Sequence, residues 1–308
     1  MHVIILGAAA GGGFPQWNCA CSNCDRARRG DPAAGPRGQS GVAVSADGEC
    51  WFLLNASPDL RAQIGRERCL QPRLGSGRAS PVAGVVLTGA DVDFVAGLLD
   101  LRESQPLALH ATARVLAQLA ASPIFNVLDP RFVTRHELPL DREVSLLCPD
   151  GCPSGLVVEA FAVPGKVALY AEDGAAAPEL GTLAGDAVGL RVGAGDRSFF
   201  YIPACAGMTA SLAGRLRGAD LVLFDGTLWH DEEMIALGLG TKTGARMGHL
   251  SVSGPGGTIA LLAPLGIGRK IFVHINNTNP MILNDSPERA AAVRAGWEVA
   301  EDGMEITL

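Results

Sequence analysis

Short apolar runs recur along the chain at residues 3–6, 42–44, 51–54, 85–87, 156–163, 199–202, 221–224 and 271–273. Several are continuous rather than alternating, the pattern of strands buried on both faces. The stretches between them carry helix punctuation. Ser57 and Pro58 make an N-cap and first-turn pair ahead of 59–64; Ser286 and Pro287 repeat it ahead of 288–294, with Gly296 as a stop. A further helix is expected over 94–102. Strands dominate each half and no Pro-, Gly- or Ser-rich linker divides them. This fits one α/β domain over 1–308, a layered αββα sandwich, better than a doubly wound sheet. Residues 74–80 and 172–178 read as surface loops.

Composition narrows the class. Hydrophobic residues make up 48% of the 308, charged residues 19% and aromatics 5%, which suits an aliphatic α/β core. A formal charge of −7 argues against nucleic acid or an anionic membrane as partner, since both select a basic surface. The chain opens on a strand with no leader pattern, and no apolar run approaches the roughly 18 residues needed to span a bilayer. The expected location is therefore cytoplasmic. Eight cysteines are too sparse for a disulfide framework, and a reducing compartment keeps most of them as thiols.

Against that background the cluster Cys19-x-Cys21-x-x-Cys24 needs its own explanation. Three thiols within six residues can converge on one tetrahedral ion, so the cluster reads as a structural zinc clip. A fourth ligand must come from elsewhere, the six histidines 2, 110, 136, 230, 249 and 274 being candidates. Cys148 and Cys152 read as incidental thiols flanking a turn, and Cys50, Cys69 and Cys205 as core residues. The glycines from Gly7 to Gly13 match neither a dinucleotide fingerprint nor a phosphate loop; they suit a close approach of backbone to a neighbouring site.

Three strand ends carry candidate ligands. Asp91 and Asp93 follow the run at 85–87 and either share a hard-metal site or cap the next helix. Asp225 ends another run. His274 leaves a third, followed by amides at 276, 277 and 279 that either bind or stitch a turn. Lys242, Arg246 and His249, interleaved with Gly and Thr, read as either solvated surface or an anion-binding loop, to which Lys166 can add.

Taken together, Gly7 to Gly13, Pro15-Gln-Trp-Asn-Cys19, Asn55-Ala-Ser-Pro-Asp59, Asp225-Gly-Thr227, Gly240-Thr-Lys-Thr-Gly244, Met247-Gly-His249 and His274-Ile-Asn-Asn-Thr-Asn-Pro280 resemble the PqqB family of pyrroloquinoline quinone (PQQ) biosynthesis. The resemblance spans essentially the whole chain. It implies a metallo-β-lactamase fold, an αββα sandwich with its active site at strand ends between the sheets. Hydrolytic relatives carry H-x-H-x-D-H where this chain has Gly89-x-Asp91-x-Asp93-Phe94, and their Pro-Gly-His is replaced by Pro164-Gly-Lys166. A dinuclear zinc hydrolase is therefore disfavoured. Family members usually keep a His at position 94, so Phe94 departs from the family as well.

The resemblance implies Asp91, Asp93 and His274 as the catalytic, metal-holding group, with Asn277 and Asp225 as additional ligands. Such an oxygen-rich set suits Fe2+ better than a zinc pair. It also implies a structural Zn2+ on the cysteines, completed in related phosphodiesterases by a His at the position of Asn277. The implied activity is iron-dependent hydroxylation of the tyrosine-derived ring of the cross-linked Glu-Tyr precursor. Lys242, Arg246, His249 and Arg102 would hold the substrate, and other proteins of the pathway are its expected partners. The alternative is a non-catalytic carrier that assists transport of PQQ or its precursor to the periplasm.

Overall fold

Each apolar run becomes a strand because both of its faces find cover. In a computed structural model that describes residues 1–172 and 180–308, two seven-stranded sheets pack face to face. The strands are β1 (His2–Gly7), β2 (Gly41–Ser45), β3 (Trp51–Leu54), β4 (Val82–Val86), β5 (Leu107–Ala111), β6 (Val133–Glu137), β7 (Glu143–Leu147), β8 (Pro153–Ala162), β9 (Val188–Ala194), β10 (Arg197–Ile202), β11 (Leu221–Asp225), β12 (Arg269–Val273), β13 (Glu298–Val299) and β14 (Met304–Thr307). Their orders are β14-β1-β2-β3-β4-β5-β6 and β13-β12-β11-β10-β9-β8-β7. In each sheet one half is antiparallel and the other, from β3 to β6 or from β10 to β13, is parallel.

Three apolar layers result. Val3, Ile5, Phe52, Leu54, Leu221 and Leu223 point between the sheets. Their alternates Ile4, Leu6, Trp51 and Leu53 meet the helices outside the first sheet, and Val222, Phe224 and Phe272 those outside the second. The αββα expectation is met, because period-two strands with both faces apolar need helices on each outer side.

Local expectations fared unevenly. Ser286 caps Pro287–Arg294, its Oγ accepting the Arg289 N–H at 3.0 Å, and Gly296 follows with φ 77°. The earlier Ser-Pro pair is corrected: the helix is Leu60–Arg66 with Asp59 at the N-cap, and the Ser57 hydroxyl instead donates to Gln63 Oε1 at 3.0 Å. The helix expected over 94–102 divides into Val92–Val95 and a 3-10 segment, Ala96–Leu101. The break falls where Gly97 packs so tightly that a Cβ would lie 2.1 Å from the Ser57 carbonyl oxygen. Residues 74–80 form an exposed loop without regular structure; of 172–178, all but Glu172 lie outside the described residues.

The cysteine reading also needs correction. Cys50, expected in the core, and Cys148, expected as an incidental thiol, form a disulfide with Cα atoms 6.5 Å apart. Cys50 lies just before β3 and Cys148 just after β7, so the bond ties one sheet to the other across 98 residues of sequence. Neither residue belongs to a short-range pattern, which is why spacing could not reveal the pair. Cys69 is partly buried and Cys205 fully so.

Candidate metal centre

Strand ends from both sheets meet around a cavity of about 200 Å³. β11 ends on Asp225, which is fully buried and whose charge is met on every side. Its Oδ1 accepts from the Thr227 N–H at 3.0 Å and the Thr227 hydroxyl at 2.6 Å. Its Oδ2 accepts from the Cys205 N–H at 3.0 Å and lies 2.8 Å from His249 Nδ1. His274 follows β12 with a left-handed φ of 56°, a conformation that costs a non-glycine residue about 1 kcal/mol. The next residue is clamped to hold it there: Ile275 N donates to Ala8 O at 2.9 Å, and Ala10 N to Ile275 O at 2.8 Å.

Thr227 fixes the orientation of the histidines. Its single hydroxyl proton goes to Asp225, so towards His274 Nδ1 at 2.8 Å the oxygen can only accept. His274 therefore carries a proton on Nδ1 and turns Nε2 towards Asp93 Oδ2, 2.7 Å away. A carboxylate has no proton to give, so either a proton on Nε2 or a metal ion must join the two. His249 stacks on His274 with ring centroids 5.2 Å apart. Donor atoms of Asp225, His249 and His274 all lie within 4.8 Å of one another, the spacing of a two-histidine, one-carboxylate metal site.

The two aspartates of the 91–93 turn part company electrostatically. Burial and the neighbouring charge of Asp93 raise the Asp91 pKa. Burial also pushes Asp93 upwards, but the hydrogen bond and charge of His274 outweigh it and carry the net shift down. For His249 burial favours the neutral ring, yet the charge and hydrogen bond of Asp225, with Asp91 and Asp93, raise its pKa. Asp91 occupies the N-cap position of Val92–Val95, but its side chain makes no capping bond and faces the cavity.

Gly11 lets the glycine-rich segment run along the cavity wall, where a Cβ would sit 3.5 Å from the Asp93 carboxylate. Phe94 is buried, lines the cavity and meets His274 edge to face at 5.5 Å. Lys166, nine-tenths buried, also lines it and approaches Glu172 at 3.5 Å. Arg246 grips the same carboxylate through two bonds, at 2.8 and 3.2 Å. Glu172 is thus held by two cations beside the cavity, and that pairing pulls its pKa down: the Arg246 hydrogen bond acts most strongly, against the opposing effect of burial.

The structure separates residues that the sequence grouped. Lys242 is partly buried but not among the cavity-lining residues, and Arg102, half exposed, donates to Leu99 O at 2.6 Å and pairs with Glu103. His249, grouped with the anion-binding loop, stands among the candidate ligands instead. Asn277 is corrected away from the catalytic group. Its amide nitrogen lies 3.2, 3.7 and 3.3 Å from the sulfurs of Cys19, Cys21 and Cys24. None of the six histidines completes that cluster among the described residues. Thr227 entered the sequence reading only as part of the Asp225-Gly-Thr227 string, with no role of its own; its place two residues past Asp225 was the available signal.

A β-lactamase superfamily domain model matches residues 50–275. The coenzyme PQQ synthesis protein B of Gluconacetobacter diazotrophicus is 57% identical over 309 residues, covering 100% of this chain and 99% of that one. The proteins of that name from Rhodopseudomonas palustris and a Methylobacterium species are 53% and 51% identical, with both chains fully covered in each case. The crystal structure of Zn2+-bound PqqB from Methylobacterium extorquens superposes with a TM-score of 0.94 at 49% identity, covering 100% of both chains. A diphosphatase of the PhnP family, with a TM-score of 0.69 at 18% identity over 99% of this chain and 96% of its own, shares the fold alone. On its sequence and its fold alike, the chain belongs to the PqqB family, the coenzyme PQQ synthesis proteins B, within the β-lactamase superfamily.

Proposed function

We propose that the chain acts in PQQ biosynthesis as an iron-dependent hydroxylase of the tyrosine-derived ring of the Glu-Tyr precursor. The observation that carries this reading is that His249, His274, Asp91 and Asp93 line one small cavity, with Asp93 against His274 and the buried Asp225 behind His249. Two imidazoles and a carboxylate on one side of a cavity are the donor set of mononuclear Fe2+ oxygenases, and the pair of carboxylates, Asp91 and Asp93, favours a harder ion. When bound, the ion supplies oxygen activation.

The protein's own residues supply the rest. Thr227 fixes the tautomer and aim of His274, and Asp225 those of His249. Phe94 offers an aromatic wall for the substrate ring and keeps water from one side of the ion. Lys166 and Arg246 receive the precursor's carboxylates once Glu172 gives way.

We assign a structural Zn2+ to Cys19, Cys21 and Cys24. Asn277 fits this site: with its amide turned end for end, Oδ1 faces the three sulfurs as a fourth donor. The two sites differ in softness, thiolates against carboxylates and imidazoles, so they would sort zinc and iron between them.

The test is anaerobic reconstitution with Fe2+, followed by oxygen and precursor, read by mass spectrometry for ring hydroxylation. Full iron loading without hydroxylation would refute the enzyme reading. Stoichiometric PQQ binding without turnover would replace it with the carrier reading.

A further inference from the structure

β6 ends one sheet and β7 the other, and between these two edges lies a second cavity of about 650 Å³ that shares no lining residue with the metal centre. Elsewhere the space between the sheets is filled mostly by apolar side chains, aliphatic ones together with Phe52, Phe199 and Tyr201. Here β5 and β6 present His110, Thr134 and His136 instead. His110 and His136 are register partners on parallel strands, and their rings stack at 4.9 Å with 20° between planes.

His110 is 5% exposed, yet neither ring nitrogen has a hydrogen-bond partner. A neutral imidazole brings one donor and one acceptor, and leaving a buried polar group unpaired costs about 1–3 kcal/mol. Native interiors keep few such groups, and those that persist call for an explanation.

The rest of the lining indicates what belongs there. Arg131 is bonded to Asp129, while Arg135 donates to Phe125 O at 3.1 Å and has no carboxylate partner among the described residues. Glu137 is the one carboxylate in the lining. The β7 side contributes Val144, Leu147 and the following Pro149, an apolar wall. With Arg131 balanced by Asp129, Arg135 is the cation of the lining that an acid group can still engage. The two guanidinium groups disfavour a metal ion at the histidine pair, and the apolar wall disfavours a bare inorganic ion.

We propose that this edge cavity is a second ligand site, taking a small organic anion whose carboxylate or phosphate meets Arg135 and Arg131. Its body packs between His136 and the β7 wall, with a polar atom reaching His110. Arg135 dominates the recognition, because Arg131 is already engaged.

The experiment follows the ring C–H NMR signals of His110 and His136 in the full chain, assigned with His110→Phe and His136→Ala, during titration with benzoate, phenyl phosphate or inorganic phosphate. Saturable shifts of both signals are expected with benzoate, phenyl phosphate or both, and which of them saturates identifies the acid group preferred. Binding should weaken at least about tenfold in Arg135→Ala, an exposed position whose truncation spares the core, and stay unchanged in Asp93→Asn. Linear, non-saturating shifts with both organic probes, equal binding by Arg135→Ala, or saturation by inorganic phosphate alone would overturn the proposal.

Discussion

The cleanest quantitative consequence of the fold concerns His110. Burial, with a further contribution from the charge of His136, lowers its pKa from 6.5 to about 4. The folded protein thus holds the ring neutral over a range in which the unfolded chain protonates it. Between those two values the unfolded state binds more protons, so stability is fully present above pH 6.5 and is lost as pH falls towards 4. A separation of this size corresponds to about 3 kcal/mol in total, of which about 2 kcal/mol is lost between pH 7.5 and 5. Urea unfolding of the wild type and His110→Phe at both pH values, without added ligand, isolates the effect. Phe fits beside Phe52, which His110 approaches at 6.4 Å between centroids, and removes two unpaired polar atoms. The variant should therefore match or exceed the wild type at pH 7.5. It should then lose about 2 kcal/mol less on going to pH 5. Equal losses in the two proteins would show that His110 is not held neutral and refute the reasoning.

Other consequences concern the metal centre and the clip. Glu172→Gln frees Lys166 and Arg246, so affinity for PQQ measured by calorimetry should rise several-fold. Thermal stability should meanwhile fall by about 1–3 kcal/mol, because a nearly buried lysine loses its charge partner. Thr227→Val removes the hydroxyl between Asp225 and His274 and should weaken Fe2+ binding roughly 10–100-fold in a chelator competition. Elemental analysis of Asp93→Ala should show the centre depleted and the clip zinc retained, whereas Cys21→Ala should lose zinc. Asn277→Ala should keep zinc but release it to a chelator about 10–100-fold more readily, and unchanged release would remove Asn277 from the clip.

How much of this was legible depended on how local each signal was. Runs such as 51–54 and 221–224 announced strands because every residue in them is buried, and period-two alternation with two apolar faces leaves little choice of architecture. Of the strands that escaped notice, β5, β6, β7, β9, β13 and β14, the first three lie along the open edge, where His110, Thr134, Arg135 and His136 break up the apolar pattern. The same polar residues that hid these strands line the edge cavity. Within the centre, Asp91, Asp93, Asp225 and His274 were found because strand ends in layered α/β folds present ligands. The grouping of Arg102 and Lys242 with them rested on charge and, for Lys242, on the interleaved Gly and Thr, neither of which fixes the direction of a side chain. Asn277 was ambiguous because its neighbours in sequence serve two places, a distinction only the backbone path decides.

That path also makes the clip more than a distant staple. Two residues separate His274, turned towards Asp93, from Asn277, turned towards the cysteines, and the amides between and after them are committed. Asn276 donates to the Thr278 hydroxyl at 2.6 Å, Thr278 in turn to Glu233 at 2.6 Å, and Asn279 to Gly226 O at 2.9 Å. From the clip side, Asn23 reaches back with its amide to the carbonyls of both Asn277 and Thr278, at 3.1 and 3.0 Å. His274 sits in a strained left-handed conformation that this bracing holds in place. A clip without its ion would loosen Asn277 and, through it, the segment that keeps His274 in its strained geometry.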